Sequence, residues 1–244
     1  MISQAIERHF PDHKGKTFLE VGCGTGYVLA MLERMGLRVT GLDMHGEALH
    51  FAKQRTQATL VCSTLDKHKA GARYDAIGAF DVMEHVENDH EFLAQCNSRL
   101  SEGGKLFLTV PAGMELWTDI DQVSGHKRRY TRSGLIQRLT GAGFTVTDIR
   151  YFGFFQYVPY FLMKKVVGFR ITSKKTNELA LVREMLTPPP PIIQALLMFL
   201  FRLEELVARV ATLPFGTSLV VSAYKSASVP RDALKYPGDK SKRK

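Results

Sequence analysis

Two segments of the sequence carry residues whose types and spacing suit chemistry. The segment FDVMEHVEND holds Asp81, Glu84 and His85, and the segment SGHKRRYT, further along the chain, holds His126. Carboxylates and imidazoles that meet at one site can bind a divalent cation, and such a cation lowers the pKa of a bound hydroxyl. An imidazole alone titrates near neutral pH and can act as a general base.

Three interpretations of these residues remain open from the sequence. On a helical turn Asp81 would meet Glu84 and His85, and with His126 they would form a metal site. Without a metal, His126 or His85 is the best general base. The plainest alternative is an exposed helix start at Glu84 and His85, with His126 in a loop bonded to backbone. The basic run 127–129 either binds an anionic group of a substrate or forms a solvated loop before a helix.

A glycine-rich turn is the second candidate for binding. In FLEVGCGTGY the glycines alternate, at Gly22, Gly24 and Gly26. A dinucleotide-binding turn requires GxGxxG, but Tyr27 occupies the place of its last glycine, so the ligand need not carry a pyrophosphate. Glu20 lies at the end of an apolar run, and Asp43 in VTGLD can accept hydrogen bonds from both hydroxyls of a ribose. These carboxylates favour a nucleoside ligand over a turn that binds nothing.

Alternating apolar and amphipathic stretches predict the elements that position these residues. Strands are expected at 17–21, 38–42, 58–62, 74–80, 105–110, 145–151 and 218–224. Helices are expected at 27–35, 46–55, 89–100 and 133–142, several of them closed by a glycine, at Gly36, Gly103 and Gly143. This pattern is typical of an open, doubly wound α/β sheet, in which ligands bind at the carboxyl ends of the strands.

Four motifs in this order, EVGCGTG, GLD, YDAIGAFDVMEHV and GGKLFLTVP, resemble those of class I S-adenosylmethionine-dependent methyltransferases. The resemblance implies a Rossmann-like seven-stranded sheet whose last strand is antiparallel, and S-adenosylmethionine as cofactor. The alternating glycines would hold the methionine part, Glu20 would support that loop or the amino group, and Asp43 would hold the ribose. The full set of implied cofactor residues is Glu20, Gly22, Cys23, Gly24, Gly26, Asp43, Met44, Thr64, Leu65 and Phe80.

The segment around His85 also resembles the E-x-x-E-H motif followed by a distant histidine. This motif occurs in the ubiquinone-pathway O-methyltransferases and in the metal-dependent small-RNA 2′-O-methyltransferases, and here Asp81 replaces its first glutamate. The resemblance implies His126, His85 and Glu84 as catalytic residues. It also implies a metal site of Asp81, Glu84, His85 and His126 that would bind Mg²⁺ or another divalent ion.

An apolar insertion separates the last strand from the others. The expected layout is a methyltransferase core at 1–151 and 217–227, a helical insertion at 152–216, and a basic disordered tail at 228–244. The insertion holds clustered aromatic residues and a mostly apolar helix from Ile192 to Ala211, which charged residues make too short to span a membrane. The apolar surface of this helix could pack against the rest of the insertion, against a second copy in a homodimer, or against an anionic membrane surface. The basic residues that favour the membrane are Lys164, Lys165, Arg170, Lys174 and Lys175.

Composition bears on the expected partners and cellular location of the protein. The formal net charge is +9, which favours an anionic partner such as a membrane surface or nucleic acid, or serves only solubility. Three scattered cysteines and the absence of an apolar leader predict a reducing, cytoplasmic location, with possible contact at the inner membrane face. The favoured function is O-methylation of a small lipophilic or lipid-linked acceptor. Alternatives are RNA 2′-O-methylation, N-methylation of a small molecule, and a non-catalytic binding role.

Overall fold

The computed structural model describes residues 1–68, 71–158, 161 and 190–226, and it contains one seven-stranded sheet in the order β3-β2-β1-β4-β5-β7-β6. The strands are β1 Thr17–Val21, β2 Arg38–Asp43, β3 Thr59–Cys62, β4 Tyr74–Phe80, β5 Leu100–Pro111, β6 Phe144–Phe152 and β7 Ser218–Lys225. Strand β7 runs antiparallel to both of its neighbours, β5 and β6, whereas β1 to β5 pair in parallel. The predicted Rossmann-like sheet is therefore confirmed.

Helices cover both faces of this sheet. They are α1 Ile2–His9, α2 Tyr27–Arg34, α3 Gly46–Ala52, α4 Asp89–Arg99, α5 Asp119–Val123, α6 Arg132–Gly141 and α7 Pro191–Val210. Helices α1 to α3 contribute to one core cluster, in which the rings of Phe18 and Phe107 stack with centroids 6.2 Å apart. Helices α4 and α6 contribute Leu93 and Leu139 to a second cluster. The two clusters hold the strands rigidly, so that their carboxyl ends can carry a site.

Some elements differ from the prediction. Helix α1 was not expected, because its sequence is mostly polar and only Ile6 of the helix is buried. Gly103 does not close a helix: it lies within β5, which begins as early as Leu100, although its φ of +68° is left-handed. Gly36 and Gly143, with φ of +87° and +83°, do follow helices as predicted.

The described part of the insertion is dominated by α7, which confirms the predicted apolar helix to within a residue at each end. In the described part of the chain, none of the helices has the length and hydrophobicity of a transmembrane span. The predicted basic tail at 228–244 lies outside the described residues. So do the lysines and the arginine that favoured a membrane surface, Lys164, Lys165, Arg170, Lys174 and Lys175.

Candidate active site

The glycine loop connects β1 to α2. The backbone amides of Gly22 and Cys23 both donate to the carbonyl oxygen of Leu42, at 2.7 and 3.1 Å, which bends the chain at the end of the strand. Gly26 caps α2 with φ +84°, and a Cβ there would lie 2.9 Å from the Cβ of Ala52. A Cβ on Gly24 would meet nothing within 4 Å. Packing thus requires Gly26, whereas Gly24 borders open space that a ligand can fill.

Two carboxylates lie beside this loop. Asp43 ends β2, and its Oδ2 accepts from the Gly24 amide at 2.7 Å while its Oδ1 accepts from the His45 amide at 2.8 Å. Glu20 is buried, and its Oε2 has no hydrogen-bond partner among the described residues. Burial, together with the nearby charge of Asp43, raises the pKa of Glu20 to about 8. A buried carboxyl with a spare oxygen beside an open glycine suits a positively charged ligand group.

The remaining predicted cofactor residues differ in their burial and in their distance along the chain from the glycine loop. Cys23 is buried beside Glu20 and Asp43, and Met44, directly after β2, is exposed. Phe80 ends β4. Thr64 follows β3 and is half-buried, but Leu65 belongs to the core cluster on the α4 face. Cofactor contact by each of these residues stays a prediction, and the burial of Leu65 makes it the weakest.

The segment after β4 was expected to form a turn of helix, but it forms a non-helical turn. Asp81 has a left-handed φ of +54°, and its carboxylate accepts from the Thr109 hydroxyl at 3.0 Å. The backbone then turns so that the His85 amide donates to the Val82 carbonyl. Glu84, His85 and His126 each offer a ligand atom within 4.8 Å of the others, and Asp81 is not part of this group, although it lines the same cavity. The structure brings three of the four predicted metal ligands together.

Glu84 is the most buried member of this group. Only 1% of it is exposed, its Oε1 lies 4.0 Å from His126 Nε2, and its Oε2 has no partner among the described residues. Burial raises the pKa of Glu84 to about 8. Burial and then the neighbouring His126 lower the pKa of His85, whose ring lies edge-on to His126 with centroids 4.8 Å apart. The alternative of a solvated helix start is therefore wrong for Glu84.

Asp121 contacts the His126 ring at Nδ1. Its Oδ1 lies 2.8 Å from His126 Nδ1 and also accepts from Arg129 Nε at 2.8 Å. Burial alone would raise the pKa of Asp121, but hydrogen bonds from Arg129 and Thr118 keep it below its ordinary value. Sequence reasoning missed Asp121. The spacing Thr118-x-x-Asp121 is that of a capping box, which this pair forms at the start of α5, and it predicts a helix start but no contact with His126.

The basic residues after His126 have partners within the protein. Lys127 pairs with Glu87, and Arg129 pairs with Asp121. Arg128 contacts Asp89 at 3.2 Å and donates to two backbone carbonyls of the turn after β4, at 2.8 and 3.0 Å. Neither a substrate-anion site nor a freely solvated loop describes Arg128 or Arg129. They hold the turn and α5 in place.

A cavity of about 700 Å³ lies beside the cluster of Glu84, His85 and His126. One wall carries the polar residues Asp81, Glu84, His85, His126 and Arg129, and the facing wall carries Phe155, Gln156, Leu197 and Leu200. Helix α7 supplies the two leucines, and its buried Glu204 accepts from the backbone amides of Gly153 and Phe154 at 2.6 and 3.1 Å. The cavity therefore combines acid-base groups with an apolar roof.

Residues 2–149, more than half of the chain, match a family model described as a methyltransferase domain. The chain belongs to this methyltransferase family. It is 32% identical over 111 residues to the ubiquinone biosynthesis O-methyltransferase of Proteus mirabilis, a match of 42% of this chain and 45% of that protein. Its identity to the enzyme of the same name from Vibrio parahaemolyticus is 32% over 103 residues, with 39% and 44% covered. The methyltransferase thus aligns with less than half the length of these relatives.

Solved structures share the fold of this methyltransferase. An S-adenosylmethionine-dependent methyltransferase from Mesorhizobium loti superposes with a TM-score of 0.57 at 17% identity, covering 91% of this chain and 96% of that one. Magnesium protoporphyrin IX methyltransferase from Synechocystis, with bound S-adenosylmethionine, gives 0.54 at 14% identity, covering 92% and 76%. The resemblance to class I methyltransferases is confirmed at the level of family and fold.

Proposed function

We propose that this protein transfers the methyl group of S-adenosylmethionine to a hydroxyl oxygen of a small, lipophilic acceptor. The observation that carries the proposal is the cavity, which faces Glu84, His85 and His126 on one side and Phe155, Leu197 and Leu200 on the other. A hydroxyl acceptor needs a group that takes its proton, and an apolar tail needs an apolar wall. The name shared by the curated relatives, ubiquinone biosynthesis O-methyltransferase, supports oxygen as the acceptor atom.

The glycine-loop residues fit the cofactor. S-adenosylmethionine carries an ammonium group, which suits the unpartnered Oε2 of Glu20, and a ribose, which suits Asp43. Asp43 accepts one amide on each oxygen, and a carboxylate has about four acceptor sites, so lone pairs remain for the ribose hydroxyls. When bound, the cofactor supplies a methyl group activated by a sulfonium. Gly24 leaves room for it.

His126 is the proposed proton acceptor. Its Nδ1 is engaged by Asp121, so Nε2 is the ring nitrogen left to act on a ligand of the cavity. A base within hydrogen-bond reach of the acceptor hydroxyl would remove the proton as the new bond to carbon forms. Glu84, whose pKa lies near 8, provides a second group that can hold a proton close by.

The same cluster fits a divalent cation. Two imidazoles and a buried carboxylate with a spare oxygen form a donor set that suits Zn²⁺ or Fe²⁺ better than the Mg²⁺ of the sequence analysis, because Mg²⁺ prefers oxygen ligands. Glu84, His85 and His126 would hold the ion, while Asp81 stays outside. The chemistry that such an ion supplies is a lower pKa for a bound hydroxyl.

The outer face of α7 supports contact with a membrane surface that stores such acceptors. Ile192, Leu196, Phe199 and Leu206 are between 57% and 80% exposed, on the same helix whose Leu197 and Leu200 roof the cavity. A homodimer contact is the alternative cover. RNA as substrate has less support, because Arg128 and Arg129 beside His126 already pair with Asp89 and Asp121.

Transfer of labelled methyl from S-adenosylmethionine tests the proposal. Catechols with and without an isoprenoid tail, a lipid extract and an RNA pool would each be assayed with chelator, and with Zn²⁺, Fe²⁺ or Mg²⁺ added. We expect transfer to the tailed catechol, and in His126→Ala a turnover lower by about 10² to 10⁴ with binding of S-adenosylhomocysteine retained. Normal turnover in His126→Ala would reject its role, and transfer to RNA alone would reject the acceptor class.

A further inference from the structure

We infer that Asp121 and Arg129 are positioning residues that hold the His126 ring with its Nε2 toward the cavity. This inference deepens the proposed function and rests on it for the role of His126. It concerns two residues that make no contact with a reacting atom in that proposal. Its evidence is a chain of hydrogen bonds that runs from the end of β5 to the imidazole.

The contacts of Asp121 determine which nitrogen of His126 carries the proton. Asp121 is 1% exposed, and its other described partners are donors: Arg129 Nε at 2.8 Å, Arg129 Nη2 at 3.0 Å and the Thr118 amide at 2.8 Å. An ionised carboxylate can only accept, so His126 Nδ1 must donate across its 2.8 Å contact. In the neutral ring, Nε2 then keeps its lone pair, whether for a proton or for a cation.

Backbone contacts fix the same geometry. The His126 amide donates to the Asp121 carbonyl at 2.8 Å, so ring and backbone are both tied to one residue. The ring also makes a T-shaped contact with the ring of His85. Since both ends of the loop between Asp121 and His126 are held, rotation of the ring away from the cavity would break the Nδ1 contact.

Arg129 explains how a carboxylate can be so deeply buried. Its guanidinium bonds both oxygens of Asp121 in a bidentate pair and is 11% exposed, so the buried charge is compensated. Its Nη1 also donates to the carbonyl of Ala112, at 3.3 Å, next to the end of β5. Ala112 further pairs with Tyr130 in an isolated bridge. Asp121 and Arg129 thus connect His126, which lies in a loop, to the backbone at the edge of the sheet.

The competing explanation is that Asp121 only caps α5. The Thr118 side chain and Asp121 form a capping box there, and the Thr118 hydroxyl lies 3.3 Å from Asp121 Oδ2. Thr118→Ala removes that hydroxyl and leaves both the His126 and the Arg129 contacts. It is therefore the matched control for a purely structural role.

Asp121→Asn is the decisive variant. The asparagine oxygen, in the place of Oδ2, can still accept from Arg129 Nη2 and the Thr118 amide. Its amide group then takes the place of Oδ1, loses the bond from Arg129 Nε and donates to His126 Nδ1, which moves the ring proton to Nε2. A change of this kind beside a catalytic histidine can lower turnover by about 10⁴, and we expect at least about 10² here. The KM for S-adenosylmethionine should stay within about twofold, since the glycine loop is untouched.

Nitrogen-15 NMR of histidine-labelled protein reads the ring proton directly. We expect the Nδ1–H form of His126 in the parent protein and in Thr118→Ala, and the Nε2–H form in Asp121→Asn. Should Asp121→Asn not fold, Arg129→Lys keeps the charge but loses the fork. It is expected to lower kcat by about 10-fold, with folding confirmed by circular dichroism.

Two results would overturn the inference: an unchanged ring proton with normal kcat in Asp121→Asn, or an equal loss of kcat in Thr118→Ala. If Asp121→Asn does not fold, a normal kcat in Arg129→Lys would overturn it as well. The NMR measurement needs no acceptor. Failure of the proposed function would therefore appear as absent methyl transfer in the parent protein. The position of the ring proton would still test whether Asp121 and Arg129 orient His126.

Discussion

The glycine-loop side and the cavity side of this methyltransferase are built in different ways. The first is shaped by backbone: Gly26 abuts Ala52, and Asp43 binds the amides of Gly24 and His45, all close to the ends of β1 and β2. The second combines side chains from separate segments, 81–85, 121–129, 155–156 and 197–200. Ion pairs and side-chain hydrogen bonds between these segments add to the backbone turns in holding that side together. Substitutions should therefore divide cleanly between cofactor binding and acceptor chemistry.

Asp43→Ala is expected to give the largest effect on cofactor binding of all the variants considered. It removes the proposed acceptor for two ribose hydroxyls and releases the Gly24 amide, and each charge-assisted hydrogen bond contributes about 1.5–3 kcal/mol. We expect S-adenosylhomocysteine affinity to fall by about 10² to 10⁴, a loss of about 3–6 kcal/mol. Calorimetry would measure it. Asp121→Asn serves as the control from the cavity side, and equal losses in both variants would erase the distinction.

Glu20→Gln should expose a conflict between stability and cofactor binding. Glu20 has a pKa of about 8 when folded against 4.5 ordinarily, so the folded state holds its proton more tightly. The contribution of Glu20 to the free energy of unfolding is fully present at low pH and is lost as pH rises from about 4.5 to about 8.

Glutamine does not titrate, so Glu20→Gln should gain stability over the parent protein across that window. We expect a gain of about 2–4 kcal/mol at pH 9 and none below pH 4.5, together with weaker cofactor binding. Urea unfolding of the cofactor-free protein at several pH values measures the difference. A parallel pH dependence for the two proteins would show that Glu20 is not held in its protonated form.

Leu200→Ala tests the apolar roof. Leu200 lines the cavity and is half-buried, and removing the branched end of its side chain should weaken binding of a tailed acceptor by about 1–2 kcal/mol. That corresponds to a KM about 5- to 30-fold higher for the acceptor, with cofactor affinity unchanged. Leu206→Ala is the matched control, because Leu206 is 61% exposed on the same helix. Equal effects of the two changes on a soluble acceptor would rule out the roof.

The two sides also differ in how far the sequence predicted them. The apolar runs located all seven strands, and the order of short motifs located Glu20, Gly24 and Asp43, because these features are local. The turn after β4 was mistaken for a helical turn, since the left-handed conformation of Asp81 has no signature in a non-glycine residue.

Charge was harder to interpret than apolar pattern. Arg128 and Arg129 looked like a surface or anion-binding run, but their partners, Asp89 and Asp121, lie on α4 and α5. Only the tertiary fold brings these groups together. Asp121 was overlooked for the same reason: its contact to His126 depends on the turn between them, and its capping-box spacing indicates a helix start and no chemistry.

The finest test compares two glycines in the same backbone state. Gly24 and Gly15 have φ of +51° and +74°, and a Cβ on either would meet nothing within 4 Å. Alanine at each position should therefore cost similar strain, about 1–2 kcal/mol of folding stability. Only Gly24→Ala adds a methyl group where the cofactor is proposed to lie, so only it should also weaken S-adenosylhomocysteine binding, by about 1 kcal/mol. If both variants bind the ligand equally well, the open space at Gly24 does not receive it.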